Sequence, residues 1–297
     1  MSAKRKIRFI INPRSGAMHK EHFAEWIQAG LDQARYDAEI VFTKEPKHAT
    51  VLSREAAMRG DHLVVTVGGD GSVNEAGAGL IGTQTALGII PTGSGNGMAR
   101  HLNIPVDFAK AMDVINRGKS ETIDTVKVNG HFCVGTFGVG FDAHIAHLFA
   151  NAGTRGYSTY VKLVLTEFYK YKSKIFHLDV DGERFEKECF LLTFANSSQF
   201  GNNAVIAPFA DVKDGWIDVS MMRKFPVLVA PHLIYRMMNN SLHHSRFFSG
   251  KKGKIIRVLN NGILLGHIDG EPVQFTDTIR IEIVPLSLNV WVLPAHA

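Results

Sequence analysis

Short, nearly uninterrupted apolar runs separated by amphipathic stretches organise the first part of the chain. Ile7–Asn12 (IRFIIN), Glu39–Thr43 (EIVFT), His62–Val67 (HLVVTV) and Ala86–Pro91 (ALGIIP) are rich in β-branched residues. Runs of this length and composition predict strands, with Ile7–Asn12 and His62–Val67 read as buried ones. Between them Phe23, Trp26, Ile27 and Leu31 recur at helical spacing, and Ala49–Arg59 reads as a second helix. Further helices are predicted from about Asn74 to Ile81, near Asn96–Leu102 and over Phe108–Asn116. Alternating helices and apolar strands imply a parallel sheet covered on both faces, with ligands at the carboxyl ends of its strands.

From about Ile123 the pattern changes. Strand runs follow one another directly, joined by Asn129-Gly130, Asp181-Gly182 and Asn261-Gly262. Such dipeptides are hairpin signals, because a primed turn needs positive φ at its central residues. Two helices interrupt the strands. Tyr157–Tyr171 carries Tyr157, Tyr160, Val161, Val164, Leu165 and Phe168 on one side, and Val227–Met238 is the other. The pattern predicts an α/β domain over residues 1–123 and a mainly antiparallel β domain over 124–297, with the last strand able to return to the first domain.

Composition narrows the function less than the pattern does. The 297 residues suit two domains, and 45% hydrophobic with 21% charged residues excludes a disordered chain. No apolar run reaches the length of a spanning helix. The basic N-terminus has too short an apolar stretch for a signal peptide, so a cytoplasmic setting is expected. Cys133 and Cys189 sit in apolar runs and read as buried free thiols. The 14 histidines show no metal-ligand spacing. A net charge of +5 suits an anionic partner: nucleotide, nucleic acid or membrane headgroup. The 28 glycines are more than average and point to tight loops close to a ligand.

Four glycine-bearing turns hold the candidate chemistry. Val64–Glu75 (VVTVGGDGSVNE) ends a strand in glycines around Asp70 and opens a helix. Backbone N–H groups there suit phosphate, and an acid suits a divalent cation or a hydroxyl being activated. Taken alone, the same residues are equally a turn with Asp70 or Ser72 capping a helix. Ile89–Arg100 (IIPTGSGNGMAR) repeats the strand–glycine–helix pattern, with Ser94 and Asn96 as side-chain donors. Asn12–Gly16 (NPRSG) follows the first strand, and His267–Glu271 (HIDGE) contains an Asp-Gly that alone reads as a hairpin turn. Neither a Walker loop nor a Rossmann fingerprint is present.

In this order, NPRSG, GGDGSVNE, PTGSGNGMAR and HIDGE resemble the diacylglycerol kinase catalytic-domain family, which includes bacterial soluble lipid kinases and the sphingosine and ceramide kinases. The likeness runs from about Phe9 to the C-terminus. It implies an α/β nucleotide domain like that of NAD kinase and phosphofructokinase, a β-sandwich lipid-binding domain, a site in the cleft, and the use of ATP and Mg²⁺. By the same resemblance Asn12, Ser15, Gly16, Thr43, Gly69, Gly71, Ser72, Asn74, Glu75 and Ser94 would line the ATP site. Asp70 would act at the magnesium–phosphate chemistry. Glu271, with Asp269, stands where the family places the acid that takes the acceptor's proton, and which of Asp70 and Glu271 is the base stays open. Asp211, Asp214 and Trp216 (by its backbone) would hold a structural magnesium, or form a plain Asp-Gly turn.

The chain departs from the bacterial diacylglycerol kinase pattern in two places. Ser72 replaces threonine, and Gly93–Gly97 reads GSGNG, closer to sphingosine and ceramide kinases. Asp142, in Gly138–Ile145 (GVGFDAHI), would then meet the amine of a sphingoid base as a substrate-binding residue, or else simply cap a helix. The expected function is transfer of the γ-phosphoryl group to a hydroxyl of diacylglycerol or a sphingoid-type lipid. The alternatives are a kinase of a soluble acceptor such as NAD and a non-catalytic lipid- or nucleotide-binding protein. A lipid substrate implies peripheral membrane contact rather than nucleic-acid binding, and leaves a homodimer open. Lys170, Lys172 and Lys174, and Lys251, Lys252 and Lys254 after Phe247-Phe248, fit such contact, although solvated faces are the commoner cause of charge runs.

Overall fold

Three of the apolar runs of the first part become strands largely buried on both faces, the Glu39–Thr43 run lying in a more exposed edge strand, and they assemble in parallel with helices over them. A computed structural model of the protein describes residues 4–13, 22–153 and 157–294. The chain forms two units, one running to Asp124 and including the segment from Pro285 onward, the other covering Thr125–Val284. The first unit contains β1 (Arg5–Ile11), α1 (Phe23–Gly30), β2 (Tyr36–Phe42), α2 (His48–Met58), β3 (Leu63–Gly68), α3 (Asp70–Leu80), β4 (Ala86–Pro91), α4 (Gly97–His101) and α5 (Phe108–Arg117). Its strands run β2-β1-β3-β4, all parallel, with Ile7 opposite Leu63 and Val64 opposite Leu87. On α1, Phe23 and Ile27 are fully buried, whereas Trp26 of the same predicted stripe is partly exposed.

Helix α3 begins at Asp70, four residues before the start that the sequence predicts. The glycines of GGDG read as loop because glycine is a poor helix former. Here Gly69 is the extended residue before the helix, and burial of Val73, Ala76 and Leu80 sustains the turns that follow. Gly79 lets α2 come close: a Cβ there would lie 2.5 Å from the Thr50 carbonyl.

The second unit is a β-sandwich. Its elements are β5 (Lys119–Val128, shared with the first unit), β6 (His131–Cys133), β7 (Thr136–Gly140), α6 (Phe141–Ala150), α7 (Tyr157–Lys170), β8 (Lys174–Val180), β9 (Glu183–Cys189), β10 (Leu191–Ala195), β11 (Ile217–Met222), α8 (Ala230–Met238), β12 (Phe248–Gly253), β13 (Ile255–Leu259), β14 (Leu264–Ile268), β15 (Glu271–Phe275) and β16 (Ile279–Val292). One sheet runs β12-β11-β10-β7-β14-β15, and the facing one contains β16-β13-β8-β9 with the β5–β6 hairpin. Within this unit the pairings are antiparallel. The inner faces meet in a buried core in which Phe137 stacks on Phe194 at 5.5 Å and Phe275 meets Phe137 edge-on. Cys133 and Cys189 are buried free thiols in it. Burial pushes both thiols up, Cys189 to about 12, so neither is a ready nucleophile.

Three turns have the positive φ values that a two-residue hairpin requires: Asn129-Gly130, Asp181-Gly182 and Asp269-Gly270. Asn261-Gly262 does not close the expected hairpin. It joins β13 to β14, which belong to different sheets of the sandwich, and only its glycine has positive φ. The predicted Val227–Met238 helix is a 3₁₀ turn over Val227–Val229 leading into α8. Finally, β16 starts in the second unit, antiparallel to β13, and ends in the first, where Val290 pairs with Leu87 of β4 in parallel.

Candidate active site

In the first unit the carboxyl ends of the parallel strands bring the sequence-distant loops together. The N–H of Asn12 donates to the Val67 carbonyl at 3.1 Å, that of Thr43 to Ile11 at 2.9 Å, and that of Thr92 to Gly68 at 2.9 Å. The sheet therefore presents Asn12, Thr43, the Gly68–Gly71 loop and the Thr92–Asn96 loop along one edge. Asn12 Nδ2 donates to Ser72 Oγ at 3.0 Å, tying the first and third of these segments.

The two glycine loops touch backbone to backbone. A Cβ on Gly93 would lie 2.5 Å from the Gly69 Cα, and one on Gly69 would lie 3.1 Å from the Gly93 Cα. Asn96 closes the second loop from a left-handed conformation, φ 55°. Its Oδ1 accepts the Gly93 N–H at 2.9 Å and its Nδ2 donates to the Gly93 carbonyl at 2.8 Å. Ser94 is exposed between them. Bare backbone concentrated at strand ends, with no side chain able to fill it, is the environment a polyphosphate needs.

Asp70 opens α3 beside this cradle. Burial pushes its carboxyl above the ordinary aspartate range, against the opposing pull of the backbone N–H groups of Met98, Gly97 and Asn96. Glu75, by contrast, turns to α2: its carboxylate accepts the Ala49 N–H at 3.3 Å, and Thr50 Oγ1 donates to its carbonyl at 2.8 Å. An acid at the start of a helix is favourable, and this contact gives Glu75 a structural role. Ser15 and Gly16 lie outside the described residues.

In the second unit a buried polar network surrounds the HIDGE turn. Asp142, in the first turn of α6, accepts from His267 Nε2 at 3.1 Å and from Thr193 Oγ1 at 3.2 Å. Its other oxygen takes the Ala143 N–H at 2.9 Å. The Gly270 N–H approaches His267 Nδ1 at 3.3 Å, which makes Nδ1 the acceptor and leaves the ring proton on Nε2, facing Asp142. Gly138 admits this pair because a Cβ there would fall 2.1 Å from Asp142 Oδ2 and 2.4 Å from His267 Nε2. His267 opens the HIDGE motif but has no role assigned to it from sequence, and Thr193 lies in no motif.

Asp269 is committed to the fold. Its oxygens accept the successive backbone N–H groups of Val134, Gly135 and Thr136 at 3.0, 2.9 and 2.7 Å. Glu271 is exposed at the start of β15, one residue beyond this anchored turn.

At Asp211, Asp214 and Trp216, where the resemblance implies a magnesium, a lysine stands beside the acids. Lys252 Nζ lies 2.6 Å from Asp214 Oδ2, 3.0 Å from the Phe209 carbonyl and 3.3 Å from Asp218 Oδ2. The remaining oxygen of Asp214 accepts the Trp216 N–H at 3.0 Å, and Asp211 accepts the Lys213 N–H at 3.0 Å. The ammonium thus supplies the positive charge of the cluster. Among the described residues no group of three His, Cys, Asp or Glu side chains is disposed to hold a metal ion.

A glycine cradle on a parallel sheet, followed by a β-sandwich, defines a two-domain kinase architecture, and comparison with known proteins agrees. The family described as "Diacylglycerol kinase catalytic domain" matches residues 6–128, and "YegS C-terminal NAD kinase beta sandwich-like domain" matches residues 135–292. The chain belongs to the diacylglycerol kinase catalytic-domain family. The diacylglycerol kinase of Mycobacterium tuberculosis strain H37Rv is 31% identical, over 73% of this chain and 72% of its own. That of Bacillus subtilis strain 168 is 29% identical over 74% of each. The crystal structure of a diacylglycerol kinase from Bacillus anthracis has the same fold, with a TM-score of 0.74, 20% identity and 100% of both chains covered. No helix among the described residues is long and apolar enough to cross a membrane.

Proposed function

We propose that this lipid kinase transfers the γ-phosphoryl group of ATP to a hydroxyl of diacylglycerol. The observation that carries the nucleotide half is the Gly69–Gly93 approach, a cradle that any Cβ would fill. The triphosphate rests on the N–H groups of the two glycine loops, with Asn12, Thr43, Ser72 and Ser94 available to its oxygens and ribose. Asp70 would be the hard oxygen ligand beside the cradle for a magnesium ion, which would supply charge neutralisation. Phosphoryl transfer asks mainly for positioning and electrostatics, and one carboxylate to take the hydroxyl proton. Glu271, an exposed acid on an anchored turn, is assigned that role.

Diacylglycerol is favoured over a sphingoid base by two independent considerations. The relatives bear that name. Asp142, the residue that would receive an amine, already accepts from His267, Thr193 and the Ala143 N–H. Incubation with labelled ATP, Mg²⁺ and a panel of diacylglycerol, sphinganine, ceramide and NAD tests the reading. Label in diacylglycerol supports it. Label in NAD alone overturns the lipid acceptor, and ATP binding without any transfer points to a binding protein.

A further inference from the structure

Helix α8 is apolar on two opposite sides, which a helix lying on a single core does not require. Its inner side packs Leu233 and Met237, with Val229 just before the helix, into a small core with Met222, Ile206 and Leu242. Its outer side carries Ile234, Tyr235 and Met238, and Leu228, in the 3₁₀ turn seven residues before Tyr235, extends this stripe. Leu228 is 89% exposed, Tyr235 63%, and Ile234 and Met238 57% each. Isolated exposed apolar residues are ordinary, but a contiguous stripe marks a surface that something covers.

The charge of the stretch of chain that carries the stripe points to what covers it. From Arg223 to Lys254 the chain contains no Asp or Glu, yet it contains Arg223, Lys224, Arg236, Arg246, Lys251, Lys252 and Lys254. Two of these are neutralised: Lys251 pairs with Glu183 at 2.6 Å, and Lys252 with Asp214 and Asp218. Both are among the six lysines that the sequence suggests for docking, and Phe247 and Phe248 nearby in the chain pack into the α8 core. The other five have neutral partners, Lys254 lying over the Trp216 ring at 4.6 Å. Arg223 donates to the Arg246 carbonyl, Lys224 to the Tyr171 carbonyl and Arg236 to the Ser241 carbonyl. Arg246 lies over the Phe247 ring at 5.0 Å. None of these four has an acidic partner among the described residues.

We propose that the α8 stripe, together with Arg223, Lys224, Arg236 and Arg246 of the same acid-free stretch of chain, is the surface by which the protein docks on an anionic bilayer. Apolar side chains enter the acyl boundary while unpaired cations meet lipid phosphates, the combination that holds an interfacial helix. A second copy of the chain is a poorer occupant, because pairing two such faces would set the same unneutralised cations against each other. The proposal deepens the lipid-kinase reading by naming where the enzyme meets its substrate's phase.

The test uses the full chain and sedimentation with vesicles of phosphatidylcholine alone or mixed equally with phosphatidylglycerol. Binding is expected only to the anionic vesicles, and should fall at least tenfold when salt rises from 50 to 500 mM. Leu228→Gln with Ile234→Gln should lower binding at least tenfold with an unchanged melting temperature, since both side chains already face solvent. The same variant should phosphorylate a short-chain diacylglycerol in free solution at the wild-type rate and lose turnover on vesicles. Wild-type binding by the variant overturns the proposal, as does equal, salt-insensitive binding to neutral vesicles. Conversion of a wild-type dimer to a monomer by the substitutions, with vesicle binding retained, gives the stripe to a second copy instead. If no acceptor is phosphorylated while vesicle binding behaves as described, the kinase reading fails and the docking surface stands.

Discussion

His267 stands 3.1 Å from Asp142 through Nε2 while its Nδ1 receives the N–H of Gly270, the residue before Glu271. The imidazole therefore links α6 to the turn that carries the proposed base. His267→Leu should cost about 2–3 kcal/mol of stability, because it leaves the nearly buried Asp142 carboxylate short of a donor. Asp142→Asn keeps a hydrogen-bonding group of the same shape and should cost under about 1 kcal/mol. Urea unfolding of the two variants checks the order. Equal losses would mean that the pair is not what holds these segments.

Asp70 makes a prediction whose sign is set by burial. Its carboxyl titrates above the ordinary aspartate value in the folded chain, so the folded state retains a proton where the unfolded state has lost it. Its contribution to stability is complete below the unfolded value and declines as pH rises through the folded one. Asp70→Asn should abolish that decline, leaving a variant at least as stable as the wild type at pH 7 while turnover falls by about 100-fold or more. Melting temperatures of both proteins between pH 4 and 7, alongside phosphoryl transfer, provide the check.

Glu271 should behave differently, because it is exposed and no described residue bonds to its side chain. Glu271→Gln should leave stability within about 0.5 kcal/mol of wild type. Its turnover should fall by about 100-fold or more, with ATP affinity intact. Single-turnover transfer alongside nucleotide titration separates the two effects, and wild-type transfer would remove Glu271 from the chemistry.

Lys252 leads to a prediction about metal removal. Since its ammonium sits among Asp214, Asp218 and the Phe209 carbonyl, chelation by EDTA should leave the melting temperature unchanged in the absence of nucleotide. Lys252→Met should lower stability by about 1 kcal/mol, because Asp218, a buried carboxylate already pushed up by burial, loses its counter-charge. Lys252→Cys should lose as much, and converting that thiol to thialysine with 2-bromoethylamine should recover it.

The fold was largely legible in the sequence because its signals are local. Continuous runs such as HLVVTV can be satisfied only by strands covered on both faces, and Asp181-Gly182 needs no distant partner to form its turn. Where structure departs from local pattern, tertiary contact decides. The first turn of α3 forms in glycine-rich sequence because Val73 and Ala76 are buried behind it, and Asn261-Gly262 looks like a hairpin until β13 and β14 are assigned to different sheets.

The glycine loops of the candidate site were equally visible, being written as contiguous motifs. Their mutual contact was not, since Gly69 and Gly93 are brought together by adjacent parallel strands. His267 and Thr193 meet Asp142 from separate strands, and no spacing rule links residues so far apart in the chain. Lys252 was read as a surface cation because nothing local tells that it faces Asp214 and Asp218. Charges find partners through topology, and that information is distributed over the entire chain.

The passage of β16 from one unit into the other sets an order of events during synthesis. Val290 pairs with Leu87, Asn289 Nδ2 donates to the Thr83 carbonyl, and Trp291 Nε1 donates to the Ile115 carbonyl. The sheet that carries the glycine loops is translated early but must wait, with the edge of β4 uncovered, until the sandwich has been made and the last strand has left the ribosome. An exposed apolar strand edge is a template for aggregation. A nascent chain arrested before Pro285 would therefore hold a nucleotide domain that is complete in its motifs and open along one side.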